Sequence, residues 1–147
     1  MVRGIIFDWV GTLYERDKGL FPFSEGILRG LKPRYKLGLV SKAGNGVANR
    51  VEELKSTGIV GYFDSVVVDT DKGERQFTQC MNEMGTIPEN TIVVGDRASR
   101  EIQTGNQLGC ETYWIQVGDR SSDSPNEETG QATKVIDSIE DLLEVLE

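Results

Sequence analysis

Ile5-Ile6-Phe7-Asp8-Trp9-Val10-Gly11-Thr12-Leu13 is an apolar run that delivers a carboxylate, followed by a Gly-Thr pair suited to a tight turn. A continuous apolar run fits a strand buried on both faces, as in a parallel sheet. A lone carboxylate at the end of such a strand is costly unless something ligates it. The residues before it, Met1-Val2-Arg3-Gly4, carry one basic residue, and the run ends on an acid. That favours a strand over residues 2–8 rather than a signal peptide.

The same pattern recurs down the chain. Runs rich in β-branched residues at 35–41, 65–69, 91–95 and 111–117 read as further strands, separated by stretches of helical spacing. Val47, Val51 and Leu54 repeat at helical intervals, as do Phe77, Met81 and Met84, so each set marks a helix with one buried stripe. A single helix fits around Ser24 to Leu31. Ile139, Leu142, Leu143 and Leu146 form the apolar side of a last helix whose acidic residues face solvent. Alternating strands and helices predict an α/β fold, three-layer and Rossmann-like, with a parallel five-stranded sheet and helices on both faces. No internal repeat or second domain is visible, so residues 1–147 are expected to form one domain. The one compositional break is 118–133, polar and rich in turn-formers, which reads as a long loop. It would leave the carboxyl edge of the fifth strand, where ligands bind in open α/β sheets. It either borders the site or is a surface loop without a role.

Composition removes whole classes of chemistry. There is no histidine, which rules out Ser-His-Asp and Cys-His catalysis and His-ligated zinc; chemistry must run on carboxylates. A net charge of −8 argues against binding a nucleic-acid backbone, which needs clustered Lys and Arg. No apolar run approaches bilayer length, so no membrane association is expected and a cytoplasmic location is. Cys80 and Cys110 lack CxxC spacing and read as reduced core residues.

The segment Asp8-Trp9-Val10-Gly11-Thr12-Leu13 resembles the first motif of the haloacid dehalogenase-like (HAD) superfamily, in which a nucleophilic Asp is followed two residues later by a second Asp and then Gly-Thr-Leu. Here the second Asp is Val10. The other motifs of that superfamily follow in order. Val40-Ser41 resembles the second, whose hydroxyl binds the transferring phosphoryl group; Lys72 follows the third strand where the family keeps a Lys; Val93-Val94-Gly95-Asp96 resembles the fourth, whose Asp holds Mg²⁺. The resemblance implies a Mg²⁺-dependent phosphohydrolase working through an aspartyl-phosphate, with Asp8, Ser41 and Lys72 catalytic. It implies Mg²⁺ on Asp8, Asp96 and the Val10 backbone carbonyl, with Glu101 a candidate fourth group. Phosphate oxygens would be held by Ser41, Lys42 and the backbone N–H groups of Gly11 and Thr12. Nucleophilic catalysis splits one hard displacement into two easier ones, and a hard divalent cation offsets repulsion between carboxylate and phosphate. The substrate class is a phosphorylated small molecule or macromolecule.

Each assignment has a plainer alternative. Asp8 could be a turn former, and Asp96 the cap of a helix beginning near Arg97. Ser41 could be the N-cap of the helix through Val51, Lys72 a surface lysine and Glu101 an exposed helix residue. Trp9 and Arg97 flank the two key acids and either shape the pocket mouth or are packing and surface residues, and Lys42 has the same standing.

Val10 limits the activity. It can neither protonate a leaving group nor activate water, a loss of about 10²- to 10⁴-fold that falls hardest on alkyl phosphates. Three readings follow: a slow or leaving-group-selective phosphatase, a dehalogenase-like or phosphonate-cleaving enzyme, or a catalytically silent binding protein. Only 33 positions separate Asp8 from Ser41, too few for a cap domain beside the helix there, and the second class relies on cap residues. A phosphoacceptor receiver domain would need an acidic pair on the first strand and its acceptor on the third, near Asp69.

Overall fold

The computed structural model describes residues 2–116 and 123–146; residue 117 of the fifth expected strand and the start of the polar loop, 118–122, lie outside them. Six parallel strands, β1 (Gly4–Phe7), β4 (Lys36–Lys42), β5 (Ser65–Asp69), β6 (Thr91–Gly95), β7 (Glu111–Ile115) and β8 (Lys134–Ile136), make one sheet in the spatial order β5-β4-β1-β6-β7-β8. The sheet thus has one strand more than expected. β8 was hidden because it is three residues long, with Lys134 and Val135 exposed and only Ile136 buried, so it carries no apolar run.

Counting only sheet strands, the order is 3-2-1-4-5-6, the doubly wound arrangement whose switch point lies between the first and fourth strands. Here those are β1 and β6, paired from Gly4↔Thr91 to Phe7↔Val94. The carboxyl ends of these two strands carry Asp8 and Asp96. A receiver domain has the different order 2-1-3-4-5, and Asp69 is turned to other work, accepting hydrogen bonds from the Thr70 backbone and the Gln76 amide.

Alternation along the buried strands sorts side chains between two layers. Ile5, Phe7, Leu37, Leu39, Ile92 and Val94 face α1 (Ser24–Leu31) and the chain end around Ile139 and Leu142, with Leu54 of α2 (Val47–Thr57) joining the same core. Ile6, Val40, Val67 and Val93 face Phe77, Cys80, Met81 and Met84 of α3 (Glu74–Met84). α4 (Gln103–Leu108) brings Gly105 down onto Val93 and Thr112 of that second face. Cys80 and Cys110 are buried free thiols in this layer.

Two helical expectations need adjustment, and one hairpin is added. In α2 only Leu54 is fully buried, because Val47 and Val51 lie at the layer's margin. The final helix is shorter than its apolar spacing suggests: a 3₁₀ turn at Ile139–Asp141, begun by the Ser138 hydroxyl accepting from Glu140 N–H, leads into α5 (Leu142–Val145). Between β1 and β4 the chain forms a small antiparallel hairpin, β2 (Tyr14–Glu15) and β3 (Gly19–Leu20), before α1. The described part of the polar loop, from residue 123, is largely irregular. It is anchored by Asn106, whose amide donates to the Thr129 and Gln131 carbonyls.

Candidate active site

Asp8 follows β1 directly, and its backbone N–H still donates to the Val94 carbonyl, so the sheet fixes where the carboxylate emerges. The chain then turns sharply. The Trp9 carbonyl accepts from the N–H groups of Thr12, Leu13 and Tyr14, and the Gly11 N–H donates to Tyr14. This corrects one expectation: the Gly11 and Thr12 N–H groups, expected to hold phosphate oxygens, are spent closing the turn. The Thr12 hydroxyl is instead the donor left over, buried and without a hydrogen-bond partner among the described residues. The Val10 carbonyl accepts none of these turn bonds, and Val10 lines the cavity above the strands. Trp9 does not shape the pocket mouth. It is fully buried, stacked on Tyr14 at 4.8 Å, with its indole N–H donating to Glu53.

Asp96 follows β6, buried, and caps no helix; the Trp114 indole N–H ties its backbone carbonyl at 3.1 Å. After it the chain makes a π-helical turn, Ala98–Ile102, of the kind found mostly at functional sites. That turn brings Glu101 inward. Its Oε1 accepts from the Arg97 N–H at 3.1 Å, and its Oε2 lies 3.0 Å from the Lys72 ammonium. Glu101 is 1% exposed, so the reading as an exposed helix residue is excluded.

Lys72 is likewise no surface lysine. Its side chain is 1% exposed and Nζ lies 2.9 Å from Asp8 Oδ1, closing an Asp8–Lys72–Glu101 chain of ion pairs. Carboxylate oxygens of Asp8, Asp96 and Glu101 lie within 4.8 Å of one another. Two glycines make this packing feasible. A Cβ on Gly11, which has φ +90°, would strike the Asp96 carboxylate, and one on Gly95 would strike that of Glu101.

Crowding sets the protonation states. Burial pushes Asp8 up, but the Lys72 charge and hydrogen bond, with further bonds from Asp96 and the Trp9 N–H, outweigh it and hold the carboxyl below its ordinary range. Burial pulls Lys72 down, and Asp8 and Glu101 more than restore it, so the ammonium stays charged. Glu101 is pushed up to about 8, first by burial and then by the Asp8 charge, with Lys72 opposing. One cation therefore serves a cluster with room for more positive charge. Three hard oxygen donors in that setting fit a divalent cation such as Mg²⁺. Oε1 of Glu101 is engaged by the Arg97 N–H, whereas Oε2, beside Lys72, makes no hydrogen bond, so Glu101 stands with Asp8 and Asp96 as a third candidate ligand.

Ser41, near the end of β4, is buried but not the N-cap of α2, which begins at Gly46 without a side-chain cap. Its Oγ accepts from an Arg50 guanidinium N–H, leaving the Ser41 hydroxyl proton free to donate into the cavity. Arg50 is in turn held 3.3 Å from Glu53. Arg50 and Glu53 were missed in the sequence because they read as the polar face of α2. Lys42 lines the cavity from an exposed position, as does Arg97, which pairs with Asp123 of the polar loop at 3.9 Å. Asp123 also accepts from the Ser99 backbone, so the described part of that loop does border the site. The cavity, about 730 Å³, holds Asp8, Thr12, Ser41, Lys72 and Asp96 in its lining, the size of an ordinary small-molecule site.

Comparison with known proteins bears on what such a site does. Residues 15–115 match the family model of haloacid dehalogenase-like hydrolases, a span that contains Ser41, Lys72, Asp96 and Glu101. The chain is 29% identical over 134 residues to a glyceraldehyde 3-phosphate phosphatase of Methanothermobacter thermautotrophicus, covering 86% of this chain and 58% of that protein. It is 26% identical over 146 residues to a pyrimidine 5′-nucleotidase of Streptococcus pneumoniae, covering 95% and 52%. The chain thus spans little more than half the length of these relatives. Among solved structures, a HAD phosphatase from Thermococcus onnurineus superposes with a TM-score of 0.81 at 18% identity, over 99% of this chain and 98% of that one. At that identity the likeness is one of fold.

Proposed function

The chain belongs to the haloacid dehalogenase-like hydrolase family, and from that premise we propose that residues 1–147 form one capless, Mg²⁺-dependent phosphohydrolase domain with Asp8 as nucleophile. The observation that carries this reading is the buried Asp8–Lys72–Glu101 chain with Asp96 beside it at the sheet's switch point. An ionised carboxylate held at the mouth of a cavity by a buried ammonium is a nucleophile kept in its reactive form. The relatives named as phosphatases support a phosphorylated small molecule as substrate.

In the proposed reaction an Asp8 oxygen forms a bond to phosphorus as the bond to the leaving oxygen breaks, giving an aspartyl-phosphate. Water then attacks phosphorus and gives up its proton to solvent, the bond between the Asp8 oxygen and phosphorus breaks, and phosphate departs. Lys72 offsets charge on the phosphoryl oxygens, and the Ser41 and Thr12 hydroxyls donate to them. Arg50 keeps the Ser41 proton directed outward by occupying its lone pair. Mg²⁺, held by Asp8, Asp96 and the Val10 carbonyl, would neutralise charge shared between carboxylate and phosphate. No group at position 10 gives or takes a proton, so the leaving group must depart as a stabilised oxyanion. That favours acyl and aryl phosphates over alkyl ones.

The test is phosphate release from acetyl phosphate and 4-nitrophenyl phosphate, with Mg²⁺ and with EDTA. Turnover should need Mg²⁺ and vanish in Asp8→Asn. Val10 itself favours a second reading, a phosphate-binding protein without turnover, and wild-type protein inert toward every activated ester would establish it in place of the first.

A further inference from the structure

We infer that the substrate of this site carries a second oxyanion, a carboxylate or a further phosphate, on its leaving group, bound by Arg100 with help from Arg16. This rests on the phosphatase reading of the site and adds the substrate class to it. The chain as a whole is strongly acidic, at −8, yet apart from Asp8, Lys72 and Asp96 the cavity is lined by five cations, Arg16, Lys42, Arg50, Arg97 and Arg100, against two acids, Glu15 and Asp137. Two of the five cations, and one of the two acids, have partners of their own. Arg50 is committed to Ser41 and Glu53, Arg97 to Asp123, and Glu15 is paired with Lys18.

Arg100 is different. It is half-buried in the cavity wall and makes no side-chain hydrogen bond or ion pair among the described residues. Its neighbour Glu101, the nearest acid in sequence, is turned inward, with Oε1 accepting from the Arg97 N–H and Oε2 3.0 Å from the Lys72 ammonium. A guanidinium partly withdrawn from water without a partner is unfavourable, and its planar fork suits an oxyanion.

Topology separates this cation from the phosphate groups. Ser41, Lys42 and Arg50 approach from β4 and α2 on one flank of β1, whereas Arg100 approaches from the turn after β6 on the other. Arg16 hangs over the cavity from the hairpin after β1, exposed and likewise without an ion pair among the described residues. Phe21 and Phe23, stacked at 5.3 Å with nearly parallel planes, give the same cavity an apolar wall. A cavity of about 730 Å³ is far larger than a phosphate ion needs. The lining therefore matches a molecule with phosphate at one end, a flat or apolar middle and a second anion at the other.

The experiment uses non-hydrolysable probes, so that it reads binding rather than turnover. Benzylphosphonate, 4-carboxybenzylphosphonate and p-xylylenebisphosphonate are titrated calorimetrically into Mg²⁺-loaded protein, and into the R100Q and R16Q variants. At least one dianionic-ended probe should bind wild-type protein five- to tenfold more tightly than benzylphosphonate, and whichever gains more identifies carboxylate or phosphate as the preferred second group. The gain should shrink to twofold or less in R100Q and fall measurably in R16Q, an exposed position whose substitution leaves folding intact. Equal affinities for all three probes, or a gain retained in both variants, overturn the inference while leaving the phosphatase reading standing. No binding of any probe overturns both.

Discussion

Removing the Lys72 ammonium should destabilise the metal-free protein by about 3–5 kcal/mol, the range expected when one member of a buried ion cluster is deleted. Lys72 Nζ lies 2.9 Å from Asp8 and 3.0 Å from Glu101, with its side chain 1% exposed. At such a distance the Asp8 pair is worth on the order of 5–6 kcal/mol before desolvation, at an effective dielectric near 20, and the Glu101 pair adds a like amount only as Glu101 ionises near pH 8. Desolvation of the three groups consumes much of that in the intact protein. In Lys72→Met the burial remains and the attraction is gone, leaving Asp8, Asp96 and Glu101 facing one another. Two conditions should rescue the variant. Low pH protonates the cluster, which the native state then does more readily than the unfolded chain, so stability returns on acidification. Mg²⁺ replaces the lost cation, so the deficit measured in EDTA should shrink in millimolar Mg²⁺. The assay is urea denaturation of both proteins at pH 5.5 and 8, each with EDTA and with Mg²⁺. A loss under 1 kcal/mol at pH 8 in EDTA, or a loss equal in all four conditions, would refute the ion-cluster account.

Other perturbations report on separate parts of the site. Val10→Asp should raise turnover of alkyl phosphates by about 10-fold or more, in line with a restored general acid-base group, while aryl phosphates gain little; a folded variant with an unchanged alkyl-to-aryl ratio in steady-state assays contradicts that. Wild-type protein in EDTA should lose stability as pH rises from about 4.5 to 8. Glu101, raised to about 8 in the fold, stays protonated over that window while the unfolded chain ionises, and chemical denaturation at several pH values checks the slope. Gly11→Ala forces a Cβ at φ +90° into the Asp96 carboxylate, so we expect a loss of about 1–3 kcal/mol in thermal unfolding together with weaker Mg²⁺ affinity by calorimetry; intact Mg²⁺ binding would detach Gly11 from the site.

What the sequence disclosed follows a physical line. Strands buried on both faces announce themselves as apolar runs, so β1, β4, β5, β6 and β7 were legible and the acids at their carboxyl ends with them. β8 was not, because an edge strand with one buried residue has no such signature. Lys72 and Glu101 could be placed near the site by resemblance, but their mutual ion pair depends on the π-helical turn at Ala98–Ile102, a backbone feature that residue identities do not encode locally. The turn after Asp8 shows the opposite failure. Gly11 and Thr12 predicted a tight turn correctly, and the same tightness consumed the N–H groups that were expected to face a phosphate. Arg50 and Arg100 were invisible for a simpler reason, since arginines on the polar side of a helix or turn read as solvated surface until the fold shows which of them overlook a cavity.

Val10 and the unpartnered Arg100 bear on one question, how a leaving group departs without an acid. A proton donor at position 10 would let poor leaving groups leave neutral. Without it the departing oxygen carries its charge into the cavity, and only groups that already stabilise that charge, or find it stabilised, depart readily. The cavity lining as a whole carries more cations than acids in a chain that is otherwise acidic, and the unpartnered Arg100 lies on the flank away from the phosphate groups. Positive potential there lowers the energy of any anion formed on leaving, and more so in a wall partly shielded from water. It cannot replace proton transfer for an alkoxide, whose basicity is far above what a nearby guanidinium offsets. Position 10 therefore narrows the reaction to stabilised leaving groups, and the same arginines that would select a second anion would favour the release of such a group.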